Sequence, residues 1–360
     1  MVKVAIFGAG HIGSAVQQII GLLKDYVLSN DPYFEVETFI IDSSPDWDYQ
    51  LDVSLASVED ISAMLAEKGA THVINALPFS LVKKVAEASV GAKCHYIDFT
   101  EDDLMADAVQ ELYQGTGLTC AVKCGLAPGF INYIGYHLVG QVKNPESLMI
   151  SVGALPRTVS YDYNHPEHSY NLTWSVDGLV NEYLRPCRIR KDGVETTIDP
   201  LNGLTKVIID GTEYEAAYTS GGIGSLVREL SNVPNVCYMT LRYPEHYRYV
   251  RSVIQDNLGN FDKIKQVFLD NFPSTDDDVI VVYASVLGSD NGRPVRKSYS
   301  NKFYGVDKLS GIQATTAGSG VAMLELILTG KATGIIDHSS ISLKDFVSTK
   351  AFNKCYKTVK

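Results

Sequence analysis

The sequence predicts an α/β fold: a doubly wound parallel sheet in the first third of the chain, followed by a region of α+β texture. Three observations predict it. Strand-length apolar runs alternate with helical patterns up to about residue 125. A glycine-rich turn, Gly8-x-Gly10-x-x-Gly13, joins the first run to the first helix. Beyond "CGLAPGF" the runs lengthen and alternate, with Asp-Gly and Asn-Gly pairs between them.

Residues 2–7 (VKVAIF) form a short β-rich run, and Ile12, Val16, Ile19, Ile20 and Leu23 then share one helical face. "FEVETFII" reads as the second strand, a helix follows near 57–68, and "THVINAL" reads as the next strand. A helix near 80–90, the strand "CHYIDF", a helix near 102–114 and the strand "LTCAVK" complete the series. Strands separated by helices of about ten to fifteen residues make βαβ units, whose right-handed crossovers wind a parallel sheet. In the second region "SLMISVGALP", "YNLTWSV", "TKVIIDGTEYEAAYT", "NVCYMTLRY" and "DVIVVYASVLGSDNGRPVRKSYSNKFYG" read as longer, mainly antiparallel runs. Asp210-Gly211 and Asn291-Gly292 mark hairpins. Helices are expected near 245–257 and 261–271, over "GIQATTAGSGVAMLELILTG" from 311, and near 343–353. No repeat or low-complexity linker separates the regions, so the boundary near 125 is a change of pattern.

Composition bounds the function. With 360 residues, 45% of them hydrophobic, the chain can bury a full core. A net charge of −11 argues against a broad footprint for nucleic acid or an anionic membrane, so neither partner is expected. No apolar run approaches the roughly 18–20 residues that span a bilayer, and the N-terminal run is too strand-like for a signal peptide. A cytoplasmic protein is the expectation. Six cysteines are too sparse for a disulfide scaffold. Cys120-x-x-x-Cys124, with Cys94 and His95 upstream, lacks the close spacing of a zinc knuckle and falls on strands, where thiols pack; no metal is expected. The glycosylation sequon Asn171-Leu172-Thr173 has no secretory signal to give it meaning.

The glycine turn has the context that a nucleotide-binding turn needs, straight after a β-rich run and opening an amphipathic helix. Gly8 permits the tight turn, Gly10 lets backbone approach a pyrophosphate, and Gly13 lets helix and strand pack closely. His11 and Ile12, at the helix N-terminus, then offer free N–H donors to the phosphates. The second strand ends "FIIDSS", where Asp42 and Ser43 stand to meet the ribose hydroxyls. Asp42 follows Gly13 at a longer interval than the roughly twenty residues usual for that acid, as the "LKDYVLSNDPY" connection explains. A carboxylate there repels a 2′-phosphate, so NAD is favoured over NADP. Further contacts belong at later strand ends: Asp52-Val53, Asn75-Ala76-Leu77-Pro78, Asp98-Phe99-Thr100 and Lys123-Cys124-Gly125-Leu126. The chemistry is expected at the last two of these.

"NALPF", "YIDFTED", "CGLAPGFI", "VGALP", "YNLTWSVDGLVNEYLRPC", "YTSGGIGSL" and "TLRYPEH", in this order, resemble the saccharopine dehydrogenase-like oxidoreductases, with lysine 6-dehydrogenase the nearest branch. The likeness runs to about residue 325. It implies a Rossmann domain, residues 1–125 with 311–360, and an inserted α+β substrate and dimerisation domain, 126–310. It implies a homo-oligomer, a dimer, with an amino acid or amine as substrate. The reaction implied is oxidative deamination of the ε-amine of L-lysine with NAD, giving the 6-semialdehyde and ammonia. Saccharopine or carboxynorspermidine dehydrogenase chemistry is the alternative, and a non-catalytic dinucleotide-binding protein a third. Two departures stand out: "YPEH" replaces an expected "YPGH", putting Glu245 beside the implied pocket, and "RTVSYDYNHPEHSYN" is longer and more polar than expected.

Hydride transfer from an amine carbon needs placement, a group for the amine and a water route. Asp98 is the first candidate to hold the amine; the plain alternative is a helix cap, for which Thr100, with Asp103 three residues on, is better placed. Cys124 and Gly125 lie, by the resemblance, against the nicotinamide, with Cys124 packing or orienting rather than attacking. An amino-acid carboxylate calls for arginine, whose planar fork binds both oxygens; Arg242 is the candidate, then Arg185. Thr100, Tyr170, Asn171, Trp174, Thr219, Ser220, Gly221 and Gly222 are expected to shape the pocket, and His246 is a candidate base. His165 and His168 read as loop histidines, since H-P-E-H lacks zinc-helix spacing.

Overall fold

The structure is a computed structural model that describes residues 2–24, 36–158 and 170–358. The "LKDYVLSNDPY" connection lies largely outside them, and His165 and His168 entirely so. The chain divides into two compact units, Met1–Tyr133 with Gln313–Tyr356, and Ile134–Ile312 with Lys357–Lys360.

The first unit begins with strand β1 (Val2–Phe7) and helix α1 (His11–Lys24), then β2 (Val36–Asp42), β3 (Tyr49–Gln50) and α2 (Val58–Lys68). It continues with β4 (His72–Asn75), α3 (Phe79–Gly91), β5 (His95–Asp98), α4 (Asp103–Tyr113) and β6 (Cys120–Ala121), and runs into α5 (Phe130–Val139). The strands are short and apolar on both faces because helices cover both sides, which is how a buried parallel strand reads. Two expectations are corrected. Asp52 and Val53 do not end a strand: β3 stops at Gln50, and Asp52 Oδ1 instead accepts Ser54 N at 2.9 Å in a local turn. The cap of α4 is Asp102, which accepts Met105 N at 3.0 Å, because α4 starts at Asp103 and leaves Thr100 outside.

The second unit holds β7 (Asn144–Pro156), α6 (Val176–Leu184), β8 (Cys187–Lys191), β9 (Val194–Ile198), β10 (Thr205–Ile209) and β11 (Thr212–Tyr218). Then come α7 (Leu226–Glu229), β12 (Asn235–Arg242), α8 (His246–Asp256), α9 (Phe261–Asn271), β13 (Asp278–Asp290) and β14 (Arg293–Tyr304). Its sheet runs β10-β11-β12-β7-β13-β14, with β8 on β12 and β9 on β8. Both expected hairpins form, with Asp210-Gly211 and Asn291-Gly292 all at positive φ. The sheet is mixed, since β12 and β7 run parallel. "YNLTWSV" is not a strand: among its described residues only Leu172 makes a bridge, and Ser175 caps α6 by accepting Gly178 N at 3.3 Å. The buried Leu179, Val180 and Tyr183 recur at helical spacing, and that periodicity prevails.

Helix α10 (Gly311–Leu328) leads back to the first unit, which β15 (Ile335–Ile336), a 3-10 turn (His338–Ser340), α11 (Leu343–Val347) and α12 (Lys350–Cys355) complete. The first unit's parallel sheet has the order β15-β6-β5-β4-β1-β2-β3, which reverses between β1 and β4, the Rossmann arrangement. Its register sets Ile41, Phe7, Asn75 and Asp98 in one row across the carboxyl ends of four strands. The residues just beyond that row are therefore neighbours. Among the described residues no helix is long and apolar enough to cross a membrane.

Candidate functional site

In the first unit the site grows from the reversal point. Gly8 follows β1 with φ +91°, a conformation that L side chains rarely adopt, and its N–H donates to Ile41 O at 2.9 Å. A Cβ on Gly13 would collide with the backbone of Gly8, so Gly13 is what lets α1 start against the turn. Among the described residues a Cβ on Gly10 would meet nothing within 4 Å. This is the pattern of a turn with one glycine for conformation, one for helix packing and one facing open space. His11 and Ile12 open α1, whose N-terminal amides point toward that space.

Asp42, at the end of β2, closes the other side. Its Oδ2 accepts Ala9 N at 2.8 Å and its Oδ1 accepts Ser44 N at 2.9 Å, which ties the carboxylate to the glycine turn. Ser43 O accepts Gln50 Nε2 at 3.1 Å. The connection from 43 to 50 carries Asp46 and Asp48 and neither lysine nor arginine. Asn75 is buried, accepts Leu77 N at 3.1 Å and donates to the Tyr96 hydroxyl at 2.9 Å. It thereby presses Ala76 and Leu77 against Gly8. Of the expected cofactor residues, Asp52 sits in its own exposed turn and Val53 packs into the core.

Asp98 ends β5 and is fully buried. Its Oδ1 accepts Thr100 N at 3.1 Å and Lys123 N at 3.0 Å, while among the described residues Oδ2 has no hydrogen-bond partner. Burial pushes its carboxyl up to about 6, against the Lys123 and Thr100 amides, the Tyr96 hydroxyl and the Lys123 charge, which favour the charged form. Its carbonyl accepts Cys124 N at 2.8 Å, so Asp98, Thr100 and Cys124 are brought together. The Cys124 thiol is buried and held well above its ordinary value, first by desolvation and then by Asp98, which suits packing and not attack. Gly125 N donates to Pro128 O at 3.0 Å, across a turn with a cis Ala127–Pro128 bond, and a Cβ on Gly129 would strike Gly125. Lys123 was expected at this strand end but given no role of its own. Its side chain is buried, at φ +60°, with Nζ paired to Asp103.

The second unit gathers the expected pocket residues around one buried ion pair. Arg242 is 1% exposed; its Nη2 donates to Glu182 Oε2 at 3.0 Å, Nε to the Tyr183 hydroxyl at 2.8 Å and Nη1 to Leu241 O at 3.0 Å. Its guanidinium lies 5.0 Å from the Tyr170 ring centre. Glu182 Oε1 accepts from Thr219 at 3.2 Å and from the Thr240 hydroxyl, and Ser220 N donates to Glu182 O at 3.1 Å. The open carboxylate clamp expected at Arg242 is therefore corrected: a fully buried guanidinium needs a counter-charge, and α6 supplies one from within the chain.

His246 is corrected in the same way. It is 0% exposed, and burial and Arg242 hold it well below its ordinary value, so it stays neutral and is a poor base. Because Arg242 only donates, Tyr183 O accepts from it and turns its own proton toward His246 Nε2, 2.9 Å away. Trp174 Nε1 donates to the Tyr170 hydroxyl at 3.2 Å, Asn171 is half-buried, Gly221 has φ +101°, and Arg185 is exposed. Glu245 carries φ +76° and pairs with Arg248 at 2.5 Å. Glu182, Tyr183 and Thr240 were missed. The available signal was an acidic residue on the apolar stripe of the helix within "VDGLVNEYL".

Among the described residues no three His, Cys, Asp or Glu side chains are placed to share a metal ion. Residues 125–342 match the family model for the saccharopine dehydrogenase C-terminal domain. Among solved structures the chain is similar to apo saccharopine dehydrogenase (L-Glu forming) from Saccharomyces cerevisiae, with a TM-score of 0.75 and 16% identity over 100% of both chains. It is also similar to homospermidine synthase from Legionella pneumophila, solved with NAD, with a TM-score of 0.66 and 13% identity over 99% of this chain and 90% of that one. Likenesses at this level of identity establish a shared fold.

Proposed function

The chain belongs to the saccharopine dehydrogenase family, and from that premise we propose that it is an NAD-dependent oxidoreductase that deaminates the ε-amine of L-lysine to the 6-semialdehyde. The observation that carries the reading is Asp98: a carboxylate buried at the carboxyl edge of the sheet with one oxygen that has no hydrogen-bond partner among the described residues. Such an oxygen calls for a cation with N–H groups, and an alkylammonium supplies both.

The residues fit the dinucleotide. Gly10 leaves room for a pyrophosphate, α1 offers amides to it, and Asp42 is held where ribose hydroxyls would donate to its remaining lone pairs. The acidic 43–50 connection disfavours a 2′-phosphate, which supports NAD over NADP. NAD, when bound, would supply the hydride acceptor for the carbon that carries the amine. Asp98 binds that amine, orients its carbon and, when ionised, takes up its proton. Cys124 and Gly125 fix the loop on which Lys123 N holds Asp98 in place. The Glu182–Arg242 pair, neutral in sum, forms a rigid polar wall of the second unit rather than the clamp for a substrate carboxylate.

Saccharopine and polyamine-type substrates share the secondary-amine chemistry and are the second reading, consistent with the likeness to saccharopine dehydrogenase and homospermidine synthase. The test is initial-rate absorbance in the NADH band with lysine, saccharopine, ornithine and diamines. Lysine with NAD is expected to turn over fastest. Turnover of saccharopine or a diamine with none for lysine rejects the lysine reading, and no turnover with any amine rejects the oxidoreductase.

A further inference from the structure

The second unit contains a cavity of about 470 Å³ that the amine chemistry does not use. It lies over the amino-terminal half of β12, some six residues or roughly 20 Å along the strand from Arg242. Its floor is set by register. Asn235, Ser147, Leu287 and Arg296 form one cross-strand row, and Cys237, Met149 and Ser285 form the next on the same face. Leu287 is 47% exposed there, so the helices that cover this sheet farther along have ended. The β8–β9 hairpin makes the wall, with Ile189, Lys191 and Ile198.

The charge of this groove runs against that of the chain. Arg190, Lys191 and Arg296 line it and, among the described residues, no acidic residue does, in a protein of net charge −11. None of the three is paired with a carboxylate among the described residues. Arg190 is held by backbone carbonyls, Nε to Val227 O at 3.0 Å and Nη1 to Gly193 O at 2.8 Å. Arg296 Nε donates to Ser285 Oγ at 3.0 Å, and its Nη2 donates to the Tyr283 hydroxyl. The Arg296 guanidinium is thus oriented by neutral acceptors and keeps spare donors, whereas Arg190, paired with Val236, belongs to the other face of the sheet. Arg296 stands on β14 and Lys191 on β8, four strand spacings or roughly 19 Å apart at the backbone, with the apolar floor between them. The volume lies in the range of about 300–1,000 Å³ typical of small-molecule sites.

We propose that this groove binds an elongated organic dianion, a carboxylate or phosphate at each end of an apolar stem, with Arg296 holding one end and Lys191 the other. The site is independent of the lysine reading, because no residue placed in that chemistry lines it.

The test is calorimetric titration of the full chain with azelate, a dicarboxylate with an unbranched apolar stem, with the diamine of the same length as control. Saturable azelate binding is expected, weakened at least tenfold by Arg296→Gln and by Lys191→Gln, and none for the diamine. Both side chains are exposed, so both variants are expected to melt as wild type and to keep wild-type turnover. Absence of saturable azelate binding, equal binding in both variants, or equal binding of the diamine overturns the proposal. So does sedimentation showing that the variants change self-association while azelate has no effect, since the groove is then a contact between copies.

Discussion

Gly10 and Gly13 differ in what a side chain would meet, and that difference separates function from stability at single-residue scale. A Cβ on Gly13 would overlap the Gly8 carbonyl, so Gly13→Val is expected to destabilise the first unit itself. Gly10 has open space, so Gly10→Val is expected to melt as wild type while NADH binding, read by fluorescence titration, is lost. A variant that melts normally and still binds NADH refutes the cradle. Asp98 offers a second separation. Its folded-state value of about 6 lies above the unfolded value near 3.8, so its contribution to stability is present in acid and is lost as pH rises through 6. At pH 8 the buried charge costs on the order of 3 kcal/mol. Asp98→Asn keeps an oxygen for Thr100 N and Lys123 N and removes the charge. It is expected to raise the melting point at pH 8 and to lower kcat/KM at least a hundredfold. Wild-type kcat/KM is expected to fall as pH drops below about 6, when the carboxyl becomes neutral. A variant that is no more stable and fully active contradicts the amine role.

At the scale of elements, the α6–β12–α8 contact is a closed electrostatic unit. Removing one member of a buried ion pair strands the other, so Arg242→Ala and Glu182→Ala are each expected to cost about 3–5 kcal/mol in denaturant unfolding. A sharp rise in KM with stability unchanged restores the carboxylate clamp at Arg242. The turn into α8 carries a strain of its own. Glu245 replaces an expected glycine at φ +76°, where a side chain costs about 1–2 kcal/mol. Glu245→Gly is expected to be more stable than Glu245→Ala by about 1 kcal/mol, a comparison in which the Arg248 pair is lost from both. The same elements mark how far sequence is legible. The first unit's strands and helices follow from local periodicity, and the two hairpins from Asp-Gly and Asn-Gly. The β8–β9 hairpin carried the same signal in Asp192-Gly193 and went unread because β8 shows only two apolar residues, Cys187 and Ile189, and β9 is almost wholly exposed. Asp42 and the glycine turn were legible because their partners are close in sequence pattern. The Glu182–Arg242 pairing was not, because it joins residues sixty apart through tertiary packing alone.

At the scale of the whole molecule, acid stability is a contest between opposed groups in the first unit. His72 is buried against His95 and pushed down to about 4, first by desolvation, so the unfolded chain takes up its proton before the folded one. Its contribution is present above about 6.5 and is lost as pH falls toward 4. Asp98 gains protons in the folded state over nearly the same interval, with the opposite sign. His72→Gln is therefore expected to gain stability relative to wild type on acidification from pH 6.5 to 4.5, read by thermal melts of both proteins; parallel curves contradict that assignment. The dimer expected from the sequence is a proposal that sedimentation tests, and a monomeric mass at micromolar concentration rejects it. The central claim is that hydride leaves the carbon bearing the ε-amine of lysine while Asp98 holds that amine. Incubating the protein with NAD and lysine deuterated at C6, and reading the nicotinamide product by mass spectrometry, tests it most directly. Singly deuterated NADH formed with a primary isotope effect is the expected result, and its absence when lysine deuterated at C2 labels the cofactor instead contradicts the account.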